Sequence, residues 1–398
     1  MKQLIKKFIP SFLLSWYHLS LALLGAILYG FPSNKIKIIG ITGTNGKTTV
    51  VSLVTNVLEG AGFKVASLSS VRFKIGDKEK ENNLKMTMPG RFKIQKFLKD
   101  GVEVGCKYAV LEVSSEGIKQ YRHKFINFEV AVFTNLSPEH IESHGGFENY
   151  KKAKGKLFAS TKKVHVVNID DKNSDYFLSF SADKKYTYGW EKGDVNTKNT
   201  NFKLPLIGRF NIYNALTAIC VGLSQGISLE VCQKALEKAK GIPGRMEEVI
   251  STPFKVIVDY AVTPDALEQL YKTIKEIYSP SRIISVFGSC GGGRDKWRRP
   301  ILGEIASRYC QEIIITNEDP YDEDPMGIIN QVADGVKGKT TKILDRREAI
   351  RKALQIAEQG DIVLITGKGC ELWLAEAKGK KAPWNEREVI LQEYSKLK

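Results

Sequence analysis

The chain has 398 residues, a length typical of two or three domains and sufficient for well-formed hydrophobic cores. Hydrophobic residues make up 42% and charged residues 26% of the sequence, which excludes disordered and collagen-like classes. Lysine and arginine total 60 against 44 aspartates and glutamates, for a formal net charge of +16. This charge favours anionic partners, and nucleotides, phosphorylated substrates, nucleic acid and an acidic membrane face all stay open.

The cysteines indicate a reducing compartment. They are spread through a large chain and form no CxxC pair, which argues against a zinc ribbon and against a disulfide scaffold. The six are Cys106, Cys220, Cys232, Cys290, Cys310 and Cys370.

The N-terminal region is apolar over Phe12–Phe31, after three lysines. About 20 apolar residues are long enough to span a bilayer. A signal peptide is disfavoured because no small-residue cleavage site precedes Pro32. Serine, histidine and glycine residues interrupt the run, which favours a packed or membrane-surface helix over a membrane span.

Further along the chain, short β-branched runs alternate with helical patterns, which predicts parallel α/β sheets. The predicted strands are Ile36–Thr42, Tyr108–Ser115, Val130–Leu136, Lys163–Asp170, Phe254–Ala261, Arg282–Gly288, Glu312–Asn317 and Asp361–Gly367. The predicted helices include Thr49–Ala61, Asp265–Tyr278, Pro300–Cys310 and Arg346–Gln359. The polar segment Lys184–Asn201 is predicted to be a loop, and Gly241–Gly244 a hinge between domains.

A phosphate-binding loop follows the first predicted strand. The sequence ITGTNGKTT over Ile41–Thr49 departs from the strict GxxxxGK[ST] pattern, because the first glycine would fall on Ile41. It fits the variant GTxGKT, with strand, loop and helix in the required order. Glycines turn backbone N–H groups toward phosphate, the lysine reaches the outer phosphates, and a hydroxyl binds magnesium. The predicted nucleotide-binding residues are Gly43, Thr44, Asn45, Gly46, Lys47, Thr48 and Thr49.

Kinase, ATPase and ligase chemistry all stay open at this point. Glu112 ends one strand, His140 follows another, and Lys154 comes fourteen residues later. Ligands collect outside the carboxyl ends of parallel strands, where a carboxylate and an imidazole can hold a second magnesium ion. Taken singly, Glu112 is better explained by an ion pair with a lysine, His140 by a loop histidine and Lys154 by a solvated helix lysine.

Several ordered motifs now point to one family. They are GTNGKTT, EVSS, TNLSPEHIESHGGFENYKKAK, GRFNIYNAL, GIPGRMEEV, VDYAVTPDALE, VFGSCGGGRDKWRRP and ITGKGCE. From about Leu19 to the C terminus the sequence resembles the Mur ligase family, and within it the MurE type that adds the third residue of the peptidoglycan stem peptide. The resemblance implies an α/β fold: a central P-loop parallel-sheet ATPase domain (36–243), then a Rossmann-like C-terminal domain (244–398). Residues 1–35 would be an apolar helical segment.

The resemblance assigns catalytic and nucleotide roles by position. Lys47 would contact the β- and γ-phosphates, and Thr48, Glu112 and His140 would hold magnesium. Lys154 falls where the family carries a carbamylated lysine, which is anionic and suited to bridging metals. Further nucleotide contacts would come from Asn211 and Asn214 on the adenine side and from Arg245 and Asp259 in the C-terminal domain.

The resemblance also assigns the substrate side. The muramoyl-peptide acceptor would be held by Thr87, Ser114, Gln120 and Arg122. Gly367 and Glu371 would hold the incoming amino acid, with Glu371 attracting its ammonium group. About 35 residues precede the first strand, too few for the family's uridine-binding domain. The acceptor is therefore either UDP-linked and held by other surfaces, or lipid-linked, with residues 12–31 in peripheral contact with a membrane.

The selector of the added amino acid departs from the family pattern. Diaminopimelate-adding members carry Asp-Asn-Pro-Arg where this chain has Glu318–Asp319–Pro320–Tyr321. Without that arginine a distal carboxylate loses a bidentate partner. The surrounding loop is acidic, so Glu318 and Asp319 are predicted to favour an amino acid with a basic side chain, such as lysine or ornithine. The alternative is that the acidic run is solvated surface.

The resulting prediction is a cytoplasmic, ATP- and Mg²⁺-dependent amide ligase of cell-wall biosynthesis, for which peripheral membrane association stays open. An acyl phosphate would form on the acceptor and be attacked by the amino-acid amine. Its alternatives are a folylpolyglutamate-synthase-like ligase, the Mur-like subunit of a lipid II amidotransferase, and a non-catalytic membrane-associated nucleotide-binding protein. No nucleic-acid-reading motif appears, so a nucleic-acid partner is not expected.

Overall fold

A computed structural model describes residues 10–84, 86–279 and 281–397. The chain divides into two compact units. The first comprises Met1–Ser137 and Glu148–Lys240, and the second comprises Pro138–Phe147 and Gly241–Lys398. The predicted domain boundary lay at 243/244, three residues beyond the start of this last segment.

The first unit is built on an eight-stranded sheet with the order β4-β3-β2-β5-β1-β6-β7-β8. Its strands pair in parallel except for the antiparallel edge strands β3 and β4. The strands are β1 (Lys37–Thr42), β2 (Val65–Leu68), β3 (Arg72–Ile75), β4 (Lys78–Glu81), β5 (Tyr108–Glu112), β6 (Phe128–Phe133), β7 (Val164–Asn168) and β8 (Lys184–Tyr188). The central strand β1 is apolar and buried along nearly its whole length, as expected for a strand covered on both faces.

Helices cover both faces of this sheet. The helices are α1 (Ser11–Leu28), α2 (Lys47–Gly60), α3 (Arg91–Glu103), α4 (Ser115–Lys119), α6 (Phe147–Ser160), α7 (Ser174–Leu178), α8 (Arg209–Ser224) and α9 (Leu229–Glu237). Valines and leucines of α2 join α8, α9 and the sheet in one core. This core fixes the start of α2, where the phosphate loop ends.

The N-terminal helix α1 packs on α3 through small residues. Ala22 and Ala26 are buried. A Cβ added at Gly25 would lie 3.6 Å from the backbone of Phe92. Among the described residues, no helix is both long and apolar enough to cross a membrane.

The second unit contains a six-stranded sheet with the order β13-β12-β11-β14-β10-β9 and a two-stranded sheet of β15 and β16. In the larger sheet only β9 runs antiparallel to its neighbour. The strands are β9 (Glu247–Ile250), β10 (Lys255–Asp259), β11 (Ile283–Phe287), β12 (Glu312–Thr316), β13 (Thr341–Ile343), β14 (Ile362–Thr366), β15 (Trp373–Ala375) and β16 (Lys381–Pro383). The helices are α5 (Ile141–His144), α10 (Pro264–Tyr278), α11 (Arg298–Tyr309), α12 (Pro325–Ala333), α13 (Arg346–Ile356) and α14 (Glu386–Ser395).

The predicted α/β class is confirmed, and each predicted strand overlaps an observed one. The loop prediction for Lys184–Asn201 is wrong at its start, because residues 184–188 form the edge strand β8 beside β7. An edge strand has one paired side and tolerates polar residues, so its sequence looks like a loop. The charged hairpin of β3 and β4 escaped prediction for the same reason.

Candidate functional site

The phosphate loop connects β1 to α2. Gly43 and Gly46 have φ of 152° and 81°, values that disfavour any residue with a Cβ. A Cβ on Gly43 would lie 1.9 Å from Thr134 Oγ1, and one on Gly46 would lie 2.6 Å from Asn214 Oδ1. The loop therefore needs glycine at both positions for its turn and for its close neighbours.

Residues after β6 hold the loop from the side. The backbone N–H groups of Thr44 and Asn45 donate to the carbonyl oxygen and side-chain oxygen of Asn135, at 2.8 and 2.9 Å. Thr134 Oγ1 donates to the Asn45 carbonyl oxygen at 2.8 Å. The Lys47 ammonium donates to the Thr44 carbonyl oxygen at 2.7 Å, so the lysine folds over its own loop. Its charge therefore lies beside the phosphate loop, and its contact with the outer phosphates stays a prediction.

Glu112 and Thr48, two of the predicted magnesium ligands, lie together. Glu112, at the end of β5, is only 2% exposed, and its Oε2 accepts from Thr48 Oγ1 at 3.0 Å. Ser70 also donates to Oε2 of this carboxylate, from its N–H and its hydroxyl, both at 2.8 Å. A carboxylate beside hydroxyl oxygens is a donor set that Mg²⁺ accepts. No group of three histidine, cysteine or acidic side chains with metal-binding geometry occurs among the described residues.

Lys154 is buried at the phosphate loop. Its side chain is 1% exposed, and its Nζ donates to the Gly43 carbonyl oxygen at 2.7 Å. The same nitrogen lies 4.5 Å from the ring centroid of Tyr150, whose hydroxyl is 3.1 Å from Thr44 Oγ1. The lysine is therefore not a solvated helix residue, and its nitrogen is directed at the loop from α6.

Asn211 and Asn214 lie in the first turns of α8 and are buried. Asn214 Nδ2 donates to Asn211 Oδ1 at 3.1 Å, and Asn211 Nδ2 donates to the Ile207 carbonyl oxygen at 2.7 Å. The approach of Asn214 to Gly46 connects this pair to the phosphate loop. Thr49, in the first turn of α2, is buried next to the same loop.

The predicted acceptor residues come together around α4. Ser114 Oγ caps this helix by accepting from the Gly117 N–H at 3.2 Å. Met88, next to Thr87, is buried against Gly117, where an added Cβ would lie 2.4 Å from the methionine sulfur. Arg122 donates to the Met88 carbonyl oxygen and, at 2.8 Å, to Gln120 Oε1. These contacts bring the acceptor residues of the first unit into one region.

His140 belongs to the second unit, in the segment that contains α5. It has φ of 56°, and its Nε2 lies 3.2 Å from Arg294 Nη1. Asp295 fixes the segment by accepting from the N–H groups of Ile141 and Glu142 at 3.0 and 2.9 Å. The same ring nitrogen of His140 lies 3.7 Å from Glu139 Oε1, so an arginine and a carboxylate both approach the imidazole. The metal-ligand role of His140 stays a prediction.

Arg245 and Asp259 lie near the start of the second unit. The Arg245 guanidinium stacks 4.4 Å from the ring centroid of Tyr260. Asp259, at the end of β10, accepts from the Met246 N–H at 2.8 Å. Burial raises the pKa of Asp259, while the charge of Arg245 opposes that shift. The Arg245 charge is thus partly balanced inside the unit.

Glu371 is held by two neighbours. Its Oε1 accepts from the Tyr260 hydroxyl at 3.1 Å, and its Oε2 accepts from Lys368 Nζ at 2.6 Å. Lys368 is 0% exposed and also donates to Asp319 Oδ1 at 2.9 Å. This buried lysine therefore connects the two carboxylates that were predicted to bind the amino acid.

The acidic loop is buried at its start, at Glu318 and Asp319, whereas Asp322 and Asp324 are exposed. Asp319 also accepts from the Ala375 N–H at 2.7 Å, and Glu318 Oε1 accepts from Cys290 Sγ at 2.7 Å. Burial raises the pKa of Glu318. Gly367 has φ of 110°, and a Cβ there would lie 2.6 Å from Glu318 Oε2. The prediction that Glu318 and Asp319 supply free charge for a basic side chain is thereby weakened, because both have internal partners.

Three contributors were missed in the sequence: Ser70, Tyr150 and Lys368. Ser70 follows β2, which lies beside β5 in the sheet, so strand order brings it to Glu112. Because Ser70 and Glu112 are 42 residues apart in the chain, the sequence does not indicate that they are neighbours. Lys368 sits inside the GKGCE motif and was passed over because lysine is so often exposed.

Comparison with known proteins identifies the family. Residues 41–222 match the Mur ligase middle domain, and residues 244–369 match the Mur ligase glutamate ligase domain. A UDP-N-acetylmuramoyl-L-alanyl-D-glutamate–2,6-diaminopimelate ligase of Clostridium acetobutylicum is 38% identical over 95% of this chain and 82% of its own length. The chain belongs to the Mur ligase family. Its relatives place it with the MurE type, and it is an ATP-dependent acid–amino-acid ligase, as predicted.

Other similar proteins are also named as ligases or synthetases of this type. A ligase of the same name from Aquifex aeolicus is 38% identical over 91% of this chain and 78% of its own length. A UDP-N-acetylmuramyl-tripeptide synthetase of Roseiflexus is 36% identical over 92% of this chain and 80% of its own length. A solved structure of a 2,6-diaminopimelate ligase has a TM-score of 0.60 at 30% identity, covering 91% of this chain and 79% of that one.

A more distant structure shares the fold. Folylpolyglutamate synthase of Mycobacterium tuberculosis, solved with ADP and AMPPCP, has a TM-score of 0.71 at 16% identity, covering 89% of this chain and 92% of that one. At this identity the likeness concerns the fold alone. The rival folylpolyglutamate-synthase reading is therefore explained by a shared architecture.

Proposed function

We propose that this ligase adds an amino acid to a muramoyl-dipeptide precursor of peptidoglycan, with ATP and Mg²⁺. The observation that carries the proposal is the cluster at the phosphate loop, where Lys47, Thr48, Glu112 and Lys154 converge by direct contacts. An acceptor carboxylate would attack the γ-phosphate, giving an acyl phosphate and ADP. The amine of the amino acid would then attack the acyl carbon and release phosphate. Lys47 would stabilise charge on the transferring group.

Magnesium would be held by Thr48 and Glu112, with His140 as a further predicted ligand. When bound, the ion would supply charge neutralisation at the phosphates. The fit rests on the 3.0 Å contact between Thr48 Oγ1 and Glu112 Oε2, because both oxygens already face one point. Ser70 would keep the carboxylate oriented by its hydrogen bonds.

Lys154 would act as a carbamate. A carbamate would replace the cation beside the Gly43 carbonyl oxygen with an anion, which suits metal bridging. ¹³C-labelled bicarbonate and NMR test this: we expect a carbamate resonance in the wild type that is missing from Lys154→Arg. The same spectrum in both proteins would contradict the assignment.

Nucleotide contacts would come from the rest of the phosphate loop (Gly43, Thr44, Asn45, Gly46 and Thr49), from Asn211 and Asn214, and from Arg245 and Asp259. Because the reaction consumes ATP, we expect it to take place in the cytoplasm.

The acceptor would be held by Thr87, Ser114, Gln120 and Arg122, and the amino acid by Gly367 and Glu371. For the selector, Tyr321 replaces the arginine of diaminopimelate-adding members. We therefore retain lysine or ornithine as the proposed amino acid, although the relatives named above are diaminopimelate ligases.

The test of this proposal is phosphate release from ATP with UDP-N-acetylmuramoyl-L-Ala-D-Glu and a panel of lysine, ornithine, diaminopimelate and no amino acid. Products are weighed by mass spectrometry, and Lys47→Ala is the inactive control. We expect release that depends on both acceptor and amino acid, with a matching product mass. Release that ignores the acceptor would contradict the proposal, and highest turnover with diaminopimelate would contradict the selector assignment.

Membrane contact through α1 is a second part of the proposal. Leu13, Trp16, Tyr17, Leu24, Ile27 and Leu28 are 49–69% exposed, and they recur at the three- and four-residue spacing of one helix face. Residues 10–34 contain no charged side chain, and the preceding sequence carries Lys2, Lys6 and Lys7 without an acidic residue. An apolar face with aromatic residues and flanking lysines is typical of helices that lie on acidic membranes.

Vesicle sedimentation tests this contact. We expect binding to vesicles containing phosphatidylglycerol, weaker binding to phosphatidylcholine vesicles, and at least about a tenfold loss in Leu24→Asp/Leu28→Asp. Lys352→Asp, on an exposed position of the second unit, is the control. Absence of vesicle binding together with concentration-dependent dimerisation would instead assign this face to a second copy of the chain.

A further inference from the structure

A pair of arginines converges on Gln120. Arg91, the first residue of α3, donates from Nη2 to the Gln120 carbonyl oxygen. Arg122 donates from Nη2 to Gln120 Oε1 at 2.8 Å and from Nη1 to the Met88 carbonyl oxygen. The two guanidinium groups are thus held on one residue, in the region of the predicted acceptor contacts.

No direct ion pair to this arginine pair occurs in the described part of the chain. Both side chains are half-buried, and neither forms an ion pair with any carboxylate among the residues that the structure describes. The Nε atoms of Arg91 and Arg122 are buried and make no hydrogen bond. Buried arginines are ordinarily paired with an acid, because an unpaired buried charge costs several kcal/mol. The hydrogen bonds here are to neutral oxygens. The Glu116 carboxylate compensates part of the Arg122 charge, raising the pKa of Arg122 against the effect of burial, while no carboxylate of the described residues compensates the charge of Arg91 in this way.

The surroundings add to the positive potential. Arg91 stands in the first turn of the 13-residue helix α3, which contains no acidic residue in that turn. A helix N-terminus carries a partial positive charge, so a cation is unfavourable at this position. Burial lowers the pKa of Arg91, and the charge of Arg122 lowers it further. Two cations at one helix start are an arrangement that an incoming anion would stabilise.

We propose that Arg91 joins Arg122 in a two-arginine site that binds an anionic group of the acceptor, either its phosphate or a carboxylate of its peptide. This inference rests on the proposed function and extends it, since Arg91 lies outside the motifs that suggested the acceptor residues. Guanidinium groups bind phosphate and carboxylate oxygens by paired N–H donors, and two of them suit a dianion. Tyr17, on the exposed face of α1, lies near Arg91, so the site borders that face.

The test compares Arg91→Gln, Arg91→Lys and the control Lys93→Gln, which changes an exposed lysine two residues along the same helix. Glutamine removes the charge and shortens the side chain, while lysine keeps the charge and loses the planar donor fork. We expect Arg91→Gln to raise the acceptor KM by about tenfold, with kcat and the ATP KM changed less than about twofold. Arg91→Lys should fall between, and Lys93→Gln should match the wild type. A purely structural role would lower the melting temperature and move kcat and both KM values together.

Two acceptors identify the anion. If UDP-N-acetylmuramoyl-L-Ala-D-Glu shows the effect and phosphate-free N-acetylmuramoyl-L-Ala-D-Glu does not, the site binds phosphate. If both show it, the site binds a peptide carboxylate. Calorimetric binding of the same acceptors, without ATP, tests the proposed function and the Arg91 assignment separately. Wild-type protein that binds neither acceptor would contradict the proposed function itself. Equal affinity of wild type and Arg91→Gln for both acceptors would overturn the Arg91 assignment alone.

Discussion

The phosphate loop of the first unit and the acidic loop at residues 318–324 of the second unit both place charged side chains just beyond a parallel strand. Their carboxylates have different partners. Glu112 accepts from the Ser70 N–H and from the hydroxyl groups of Thr48 and Ser70, which can turn toward another ligand, and from no cation among these partners. Asp319 accepts from the buried ammonium of Lys368 and from a backbone N–H. A carboxylate whose partners include no cation keeps its negative charge available for a metal. A carboxylate paired with a buried cation stabilises the fold instead.

The largest effect should come from removing the buried ion pairs that Lys368 forms with Asp319 and Glu371. Lys368→Met leaves Asp319 and Glu371 without their shared cation, so we expect a loss of about 3–5 kcal/mol in unfolding free energy. Denaturant unfolding followed by circular dichroism measures it. Lys352→Met, an exposed lysine of the same unit, should change stability by less than about 0.5 kcal/mol. An equally small change in Lys368→Met would mean that these ion pairs do not contribute to the unfolding free energy.

At the phosphate loop the expected effect is on catalysis instead. Lys47→Ala removes a charge from the transferring phosphoryl group, so kcat should fall by about 10²–10³-fold. The melting temperature should stay close to that of the wild type, since Lys47 contacts only its own loop. Lys107→Ala, at an exposed position of the same unit, serves as control in the same phosphate-release assay. Retained activity in Lys47→Ala would refute the assignment of the loop.

Glu112→Gln sharpens the contrast between the two carboxylates. The amide keeps one acceptor for Ser70 but loses the negative charge, so we expect the Mg²⁺ concentration for half-maximal rate to rise about 10–100-fold. Titrating Mg²⁺ at saturating ATP measures this shift. Glu129→Gln, which changes a partly exposed carboxylate paired with Lys163, should leave the titration unchanged. An unaltered Mg²⁺ requirement in Glu112→Gln would remove this carboxylate from the metal site.

The smallest effect concerns amino-acid choice. Tyr321→Arg restores the bidentate partner of a distal carboxylate, so the ratio of kcat/KM for diaminopimelate over lysine should rise about tenfold. Tyr321→Phe, which removes only the hydroxyl, is the matched control and should leave the ratio within about twofold. If Tyr321→Arg leaves the ratio unchanged, another residue selects the amino acid.

Local patterns made the fold and the phosphate loop predictable. The order of strand, glycine loop and helix fixes Gly43, Gly46 and Lys47 within a short stretch of chain, where spacing alone determines geometry. The eight predicted strands were recognised because they are buried and β-branched. The edge strand at residues 184–188 and the charged hairpin before α3 lack that pattern, so they were missed.

Non-local partners could not be predicted in the same way. Ser70 reaches Glu112 because β2 lies beside β5, and this strand order is absent from the linear sequence. The acidic loop was interpreted from its charge, but the partners of Glu318 and Asp319 come from Cys290 and Lys368, 28 and 49 residues away. A charged segment predicts a binding role only when its partners are known, and folding supplies those partners.

The central claim is that the phosphate loop activates an acceptor carboxylate by phosphorylation. The most direct measurement uses muramoyl-dipeptide labelled with ¹⁸O in its reacting carboxylate and analyses the phosphate released during turnover by mass spectrometry. An acyl-phosphate route predicts that each released phosphate carries one labelled oxygen, because the bond to the acyl carbon breaks in the second step. Unlabelled phosphate, formed while ATP is consumed, would show that water attacks the γ-phosphate and would contradict the ligase account.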